Sequence, residues 1–359
     1  MAEGAGEKDE RVKTAIAHWA ARFITNGVPY ADFVEVTAGI NVWEEWCAGW
    51  SARGKVHEEL GEQALMDGYD LSAAEHFTRA GVCYHFGKFL FVDDIGQMKI
   101  AHDRAIYCRN QALPRLRFPG VRVEIPFEGS TLTGNLRRPE GIAKPPLVIM
   151  LMGLDSAKEE TDDYETRFLG RGLATLSIEG PGQGEAEYDL ALRPDFEVPI
   201  AHVFDWAVEH ADIDADKIGL WGVSFGGYHA PRVAAFEKRV KACVALSGPF
   251  NLGAVWERFP ELSREAFRVR TKTATPEEAS EIAHQFNLDP VAAQITCPLY
   301  IVSGTLDRVT PSENTALLAD AVSGPVVLNV IEGATHVANN RGYQYRPQTA
   351  DWMAKQLYG

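Results

Sequence analysis

Lys217-Ile218-Gly219-Leu220-Trp221-Gly222-Val223-Ser224-Phe225-Gly226-Gly227 is the stretch whose reading decides the fold. An apolar run, Ile218 to Trp221, leads into a serine set between glycines, and an alanine-rich, helix-compatible segment follows. The pattern G-x-S-x-G marks a strand that turns sharply into a helix and lifts one serine clear of the backbone. Strand end and helix start pass within contact distance at such a turn, so it needs residues without bulk, which Gly222, Gly226 and Gly227 supply. Ser224 would then sit at a helix N-terminus, where free N–H groups and the helix dipole favour a developing negative charge.

Outward from this turn, apolar runs alternate with helical ones. Upstream, Val121 to Phe127 alternates as a half-buried strand, Gly129-Ser130 turns, and Thr131 to Leu136 alternates again, a hairpin. The continuous apolar run Leu147 to Met152 reads as a buried strand, Asp162 to Gly170 as a helix, Leu173 to Ile178 as a strand and Ile200 to His210 as a helix. Downstream, Ala242 to Leu246, Leu299 to Val302 and Val326 to Ile331 complete the strands. Strand alternating with helix over this length implies a mostly parallel sheet with helices on both faces. A hairpin followed by the serine turn on the third strand after it is the order of the α/β-hydrolase fold.

Residues 115–359 are thus read as an α/β-hydrolase catalytic domain. Connections in such domains usually run about 2–6 residues, so 248–296 is read as a lid-like insertion. Within it Thr275-Pro276-Glu277-Glu278 has the form of a capped helix start. Residues 9–114 show helical periodicity almost throughout, as in Val12-Ile16-Trp19-Phe23, Val42-Trp46-Trp50 and Ala73-Phe77-Ala80-Tyr84, and predict an all-helical N-terminal cap domain of about five helices. Residues 1–8 read as a disordered tail.

A net charge of -15 argues against nucleic acid or an anionic membrane as a standing partner. Five cysteines lie far apart with no C-x-x-C, which favours buried free thiols in a reducing compartment over disulfides or a zinc site. No secretory h-region and no apolar run of about 18–20 residues is seen, so the expectation is a soluble cytoplasmic protein. Gly180-Pro181-Gly182-Gln183-Gly184 lacks the last glycine of a dinucleotide loop and reads as a tight bend bordering the site. No cofactor and no metal is expected, since no H-E-x-x-H, paired-aspartate cluster or P-loop occurs.

A serine hydroxyl needs an adjacent base and an acid to orient that base, in the chain order Ser, Asp or Glu, His for this fold. The loop after the strand Leu299 to Val302 carries Asp307, and the loop after the last strand carries His336, alone among the 10 histidines in following that strand. Asp289 and Asp320 compete with Asp307 but fit a helix cap and a helix face. The oxyanion donors expected are the N–H of Phe225, next after the serine, and that of Leu154 in the loop after Leu147 to Leu151. Glu159 could contact substrate, yet Ser156-x-x-Glu159 also has the form of a capping box for the next helix. Tyr84, His85 and Lys88 lie in an unusually aromatic helical stretch, where a core role competes with a pocket role. With Glu159 and Trp256 of the insertion they make up the candidate substrate-binding set.

Several stretches together resemble a known family: Tyr84 to Asp94, Gly153 to Glu160, Gly180 to Glu185, the serine turn, Arg346-Pro347 and Ala350-Asp351-Trp352. The chain resembles the carbon–carbon bond hydrolases typified by 2,6-dihydroxypseudooxynicotine hydrolase and the fungal, heptaketide hydrolyase-like serine hydrolases that shorten polyketides. The resemblance implies a helical cap that helps build the pocket, a homodimer, Ser224, Asp307 and His336 as the triad, and a small-molecule ketone as substrate. Met152 departs from the family's glycine in the oxyanion loop, and Glu179 from its aspartate. A carboxylesterase, lactonase or thioesterase would use the same residues. A non-catalytic binding or scaffold protein on the same fold would have no need of the ordered triad.

Overall fold

A strand with no polar face has to lie inside a sheet covered on both sides, and Leu147–Leu151 is buried at every position. The structure, a computed structural model, describes residues 8–359. The tail expected at 1–8 falls outside the described residues except for Lys8, whose Nζ donates to the carbonyls of Thr37 (2.9 Å) and Ala38 (3.2 Å). The chain divides into two units between Pro119 and Gly120. The change of character at residue 114 therefore precedes the division, because a short turn of helix, Leu113–Arg115, still continues the helical unit.

The first unit holds α1 (Glu10–Thr25), α2 (Tyr30–Gly39), α3 (Trp46–Met66), α4 (Asp70–Lys88) and α5 (Ile95–Ala112). Asp9 and Asp94 cap α1 and α5 by accepting the N–H groups of Arg11 and Gln97. Aromatic rings fill its centre: Phe23 stacks on Phe86 at 3.8 Å and lies 4.9 Å from Trp50.

The second unit contains β1 (Gly120–Phe127), β2 (Ser130–Arg137), β3 (Leu147–Leu151), α6 (Asp162–Leu169), β4 (Ala174–Ile178), α7 (Glu197–His210), β5 (Ile218–Val223), α8 (Gly226–Phe236) and β6 (Val240–Leu246). It continues through α9 (Leu252–Val255), α10 (Glu261–Thr271), α11 (Pro276–Ala283), β7 (Leu299–Gly304), α12 (Ser312–Ala321), β8 (Val326–Ile331) and α13 (Arg346–Tyr358). The eight strands form one sheet in the order β1-β2-β4-β3-β5-β6-β7-β8. β2 runs antiparallel to β1 and β4, and the other pairs are parallel. Side chains alternate between the faces of a strand. Ile149 and Leu151 accordingly join an apolar cluster with α7 and α8, while Val148 and Met150 join another with α6 and α13. This is the α/β-hydrolase fold, with its serine turn between β5 and α8.

The insertion supplies α9 to α11. Thr275 Oγ1 accepts the Glu278 N–H at 3.2 Å, so α11 is capped as its sequence predicts. Two other capping expectations fail. Asp289 caps no helix; its N–H donates to Asn287 Oδ1 in a local turn. The Ser156/Glu159 box does not form either: α6 starts at Asp162 without a side-chain cap, because Glu159 is drawn inward by a buried lysine. All five cysteines are free thiols, four of them buried and Cys297 half-buried. Among the described residues no helix is long and apolar enough to cross a membrane.

Candidate active site

The serine turn is tight because two glycines let backbones meet. A Cβ at Gly222 would lie 1.9 Å from the Gly226 carbonyl oxygen, and one at Gly226 would lie 2.1 Å from that of Leu151. Ser224 itself takes φ 53°, the left-handed region that L-residues avoid, and its N–H is tied to the Leu246 carbonyl at 2.8 Å. Such strain persists only where the surroundings over-determine it, and it gathers at functional sites.

β7 and β8 deliver the two other groups. Ser224 Oγ lies 2.8 Å from His336 Nε2, and His336 Nδ1 lies 2.9 and 3.0 Å from Asp307 Oδ2 and Oδ1. Asp307 Oδ1 also accepts the N–H groups of Val309 (3.0 Å) and Thr310 (2.9 Å), which fixes the carboxylate in its loop. An imidazole that donates from Nδ1 to a carboxylate presents Nε2 as an acceptor, so the serine hydroxyl has a base aimed at it. Ser224, Asp307 and His336 are thus brought together at the C-terminal ends of parallel strands, where open α/β sheets place their sites.

The loop bearing His336 is held by residues the sequence motifs did not single out for this role. Val337 and Ala338 have φ of 59° and 51°, and for a β-branched valine this is a true outlier. Its N–H donates to Ser247 Oγ at 3.1 Å, a buried bond from the end of β6. Farther along, the Arg346 guanidinium lies 3.9 Å over the Tyr164 ring, donates to the Tyr164 hydroxyl at 2.9 Å and pairs with Asp163 at 2.8 Å. Ser247 carried a signal, since it directly follows a parallel strand. Arg346 appears in the sequence only as part of the family resemblance.

Phe225 and Leu154 are both almost wholly buried, and among the described residues neither backbone N–H donates to a protein acceptor. Gly153, just before Leu154, packs on the serine: a Cβ there would lie 3.2 Å from Ser224 Cβ. Two free donors beside a strained serine can serve a developing oxyanion. The Phe225 ring meets the insertion, with centroids 5.0 Å from Phe286 and 6.1 Å from Phe267; Trp256 packs on Phe267 at 5.1 Å.

Behind the Leu154 loop lies a charge cluster that spacing did not reveal. Lys158 Nζ is ion-paired with Glu159 (2.8 Å), Glu179 (3.0 Å) and Glu185 (2.8 Å), and its N–H donates to Glu179 Oε1 at 3.0 Å. Burial works against the ammonium charge, but the three carboxylates outweigh it and hold the lysine above its ordinary pKa. Burial also opposes ionisation of Glu185, yet Lys158 and Arg122 bring that carboxyl down to about 2. Glu179, fully buried, is pushed up by desolvation, with Lys158 opposing. Glu159 is thus an ion-pair partner here.

Tyr84, His85 and Lys88 all lie buried on α4. The Tyr84 hydroxyl donates to Glu58 Oε2 at 2.8 Å, and its ring belongs to the apolar cluster of the helical unit, which is the packing role the sequence left open for it.

The strand order and the strained serine turn define the protein as an α/β-hydrolase. A family described as "Esterase FrsA-like" matches residues 31–260, and the "Prolyl oligopeptidase family" matches residues 197–359. The chain is 33% identical over 340 residues to the 2,6-dihydropseudooxynicotine hydrolase of Paenarthrobacter nicotinovorans, covering 92% of this chain and 90% of that enzyme. The crystal structure of 2,6-dihydroxy-pseudo-oxynicotine hydrolase matches with a TM-score of 0.87 at 32% identity, over 94% of this chain and 95% of that one. The alpha/beta hydrolase xenA of Xenoacremonium sinensis is 33% identical over 228 residues, 60% of this chain; the chain spans 53% of that fungal relative's length. The chain belongs to the α/β-hydrolase family of 2,6-dihydropseudooxynicotine hydrolase, and is an enzyme of the hydrolase class.

Proposed function

We propose that the protein is a serine hydrolase that cleaves a carbon–carbon bond next to a ketone in an aromatic or polyketide-like substrate. The observation that carries the serine chemistry is the continuous line from Asp307 through His336 to Ser224 Oγ, with contacts of 2.9 and 2.8 Å. In this reading His336 takes the serine proton as Oγ attacks the carbonyl carbon, and the N–H groups of Phe225 and Leu154 receive the oxyanion. The carbon–carbon bond then breaks with its electron pair held as an enolate, which His336 protonates. Water, activated by the same imidazole, attacks the acyl ester and releases a carboxylic acid, so that each turnover yields one acid and one ketone.

The end-to-end similarity to a 2,6-dihydropseudooxynicotine hydrolase supports the choice of bond. The aromatic insertion around Phe225 supports a flat, apolar substrate. Carboxylester, lactone or thioester cleavage is the second reading, favoured by the esterase description of the family that matches residues 31–260. Mass spectrometry of products from aryl β-diketones, a triketone, simple esters and a lactone separates the two. Acid plus ketone from the diketones supports the first reading; turnover of esters or lactone alone replaces it with the second. A homodimer and a cytoplasmic location belong to the same proposal, and sedimentation of a monomer at micromolar concentration would remove the first of these.

A further inference from the structure

Gly180-Pro181-Gly182-Gln183 closes a tight turn after β4, with the Gln183 N–H on the Gly180 carbonyl at 3.0 Å. Its glutamine side chain is fully buried and uses the whole of its amide. Nε2 donates to the carbonyls of Met152 (2.8 Å) and Gly153 (2.9 Å), and Oε1 accepts the Gly180 N–H at 3.1 Å. A side-chain amide nitrogen has two hydrogens, and both are committed to two successive carbonyls of the loop that leads to Leu154.

The consequence follows from peptide geometry. In a trans peptide the carbonyl of one residue and the N–H of the next point in opposite directions. A carbonyl of Gly153 turned to Gln183 therefore directs the Leu154 N–H away from Gln183. Gly153 itself packs against Ser224, and the Leu154 N–H has no protein acceptor among the described residues. A peptide between two such loops can flip at little cost unless one end is held. Here the Gln183 amide holds it, and Gly180 fixes that amide.

We propose that Gln183 is a positioning residue that sets the second oxyanion donor by pinning the Gly153–Leu154 peptide in one orientation. The proposal rests on the reading of Ser224 as nucleophile. It acts on the transition state and leaves ground-state binding alone, so its loss lowers the rate of attack by the serine with little change in affinity.

The test measures the rate of phosphonylation of Ser224 by a fluorophosphonate, which needs no knowledge of the natural substrate, by intact-protein mass spectrometry over a range of probe concentrations. Gln183→Met keeps the length and removes both donors. Gln183→Glu keeps the acceptor for Gly180 and regains one donor only when the introduced carboxyl is protonated. Expected are a fall of about 10- to 100-fold in the maximal labelling rate for both variants and a probe affinity within about threefold of the parent. The ratio of the Gln183→Glu rate to the parent rate should rise as pH falls from 8 to 5.5. Labelling of either folded variant at the parental rate overturns the proposal while leaving the serine reading intact. A parent protein that is not labelled at Ser224 overturns both. A loss of affinity equal to the loss of rate, with no pH dependence of the ratio, assigns Gln183 a purely structural role and likewise overturns it.

Discussion

Lys158→Met removes the single ammonium that faces Glu159, Glu179 and Glu185 at 2.8 to 3.0 Å. Glu185 keeps Arg122, whose Nη2 bonds it at 2.9 Å. Glu159 and Glu179 are almost wholly buried and lose their countercharge. Removing one partner of a buried ion pair costs about 3–5 kcal/mol. The protein can limit that loss by protonating Glu179, whose carboxyl burial already pushes up: with an unfolded value of about 4.3, the proton costs about 5 kcal/mol at pH 8 and about 1 kcal/mol at pH 5. Without Lys158 the folded pKa of Glu179 rises further above the unfolded one, so stability is fully present below about pH 4.3 and is lost as pH rises through the raised folded value. The deficit should therefore be large at pH 8 and small at pH 5. For a unit of this size about 2–4 °C of melting temperature accompanies each kcal/mol. Calorimetry should show the hydrolase unit melting roughly 10 °C below the parent at pH 8 and within about 4 °C of it at pH 5. An equal deficit at both values, or none at pH 8, would refute the electrostatic account of this cluster.

Ser247→Ala leaves the buried Val337 N–H without its acceptor beside a strained backbone; turnover should fall about 10- to 100-fold through misplacement of His336, with KM nearly unchanged in steady-state kinetics. Gly226→Ala drives a Cβ to within 2.1 Å of the Leu151 oxygen; calorimetry should show a loss of about 3 kcal/mol, and fluorophosphonate labelling of Ser224 should be abolished. Burial pushes the thiols of Cys47 and Cys108 up to about 11 and about 12, against about 8.5 in the unfolded chain. Their stabilising share is complete below pH 8.5 and is lost as pH rises toward those folded values, about 2 kcal/mol for each by pH 10. Urea midpoints at pH 7 and 10 should show it, with Cys47→Ala recovering one share.

What the sequence disclosed was local. The turn around Ser224 is written in its glycines, because a Cβ at Gly222 or Gly226 would come within 1.9 to 2.1 Å of a backbone oxygen. Strand periodicity put Asp307 and His336 on the loops after β7 and β8, and parallel topology brought those loops to the serine. What stayed hidden was non-local. Ser156 and Glu159 stand at capping-box spacing, yet Lys158, buried in the turn after β3, gathers Glu159 with Glu179 and Glu185 from beyond the end of β4, an arrangement that no spacing encodes. The bend at Gly180 was legible as a bend bordering the site. That its glutamine reaches Met152 and Gly153 depends on β4 lying beside β3, which only the sheet order discloses. Tyr84 could pack or line a pocket by its helical spacing; its bond to Glu58 across α3 and α4 emerges only on folding.

Carbon–carbon cleavage by Ser224 is tested by turnover of 1-phenyl-1,3-butanedione by the purified enzyme and by Ser224→Ala, with both products quantified by chromatography. The parent should yield equal amounts of carboxylic acid and ketone. The folded Ser224→Ala variant should lose at least about 10,000-fold in kcat. Cleavage that survives in that variant would contradict the assignment of Ser224, and a parent enzyme that hydrolyses esters but leaves the diketone intact would contradict carbon–carbon cleavage.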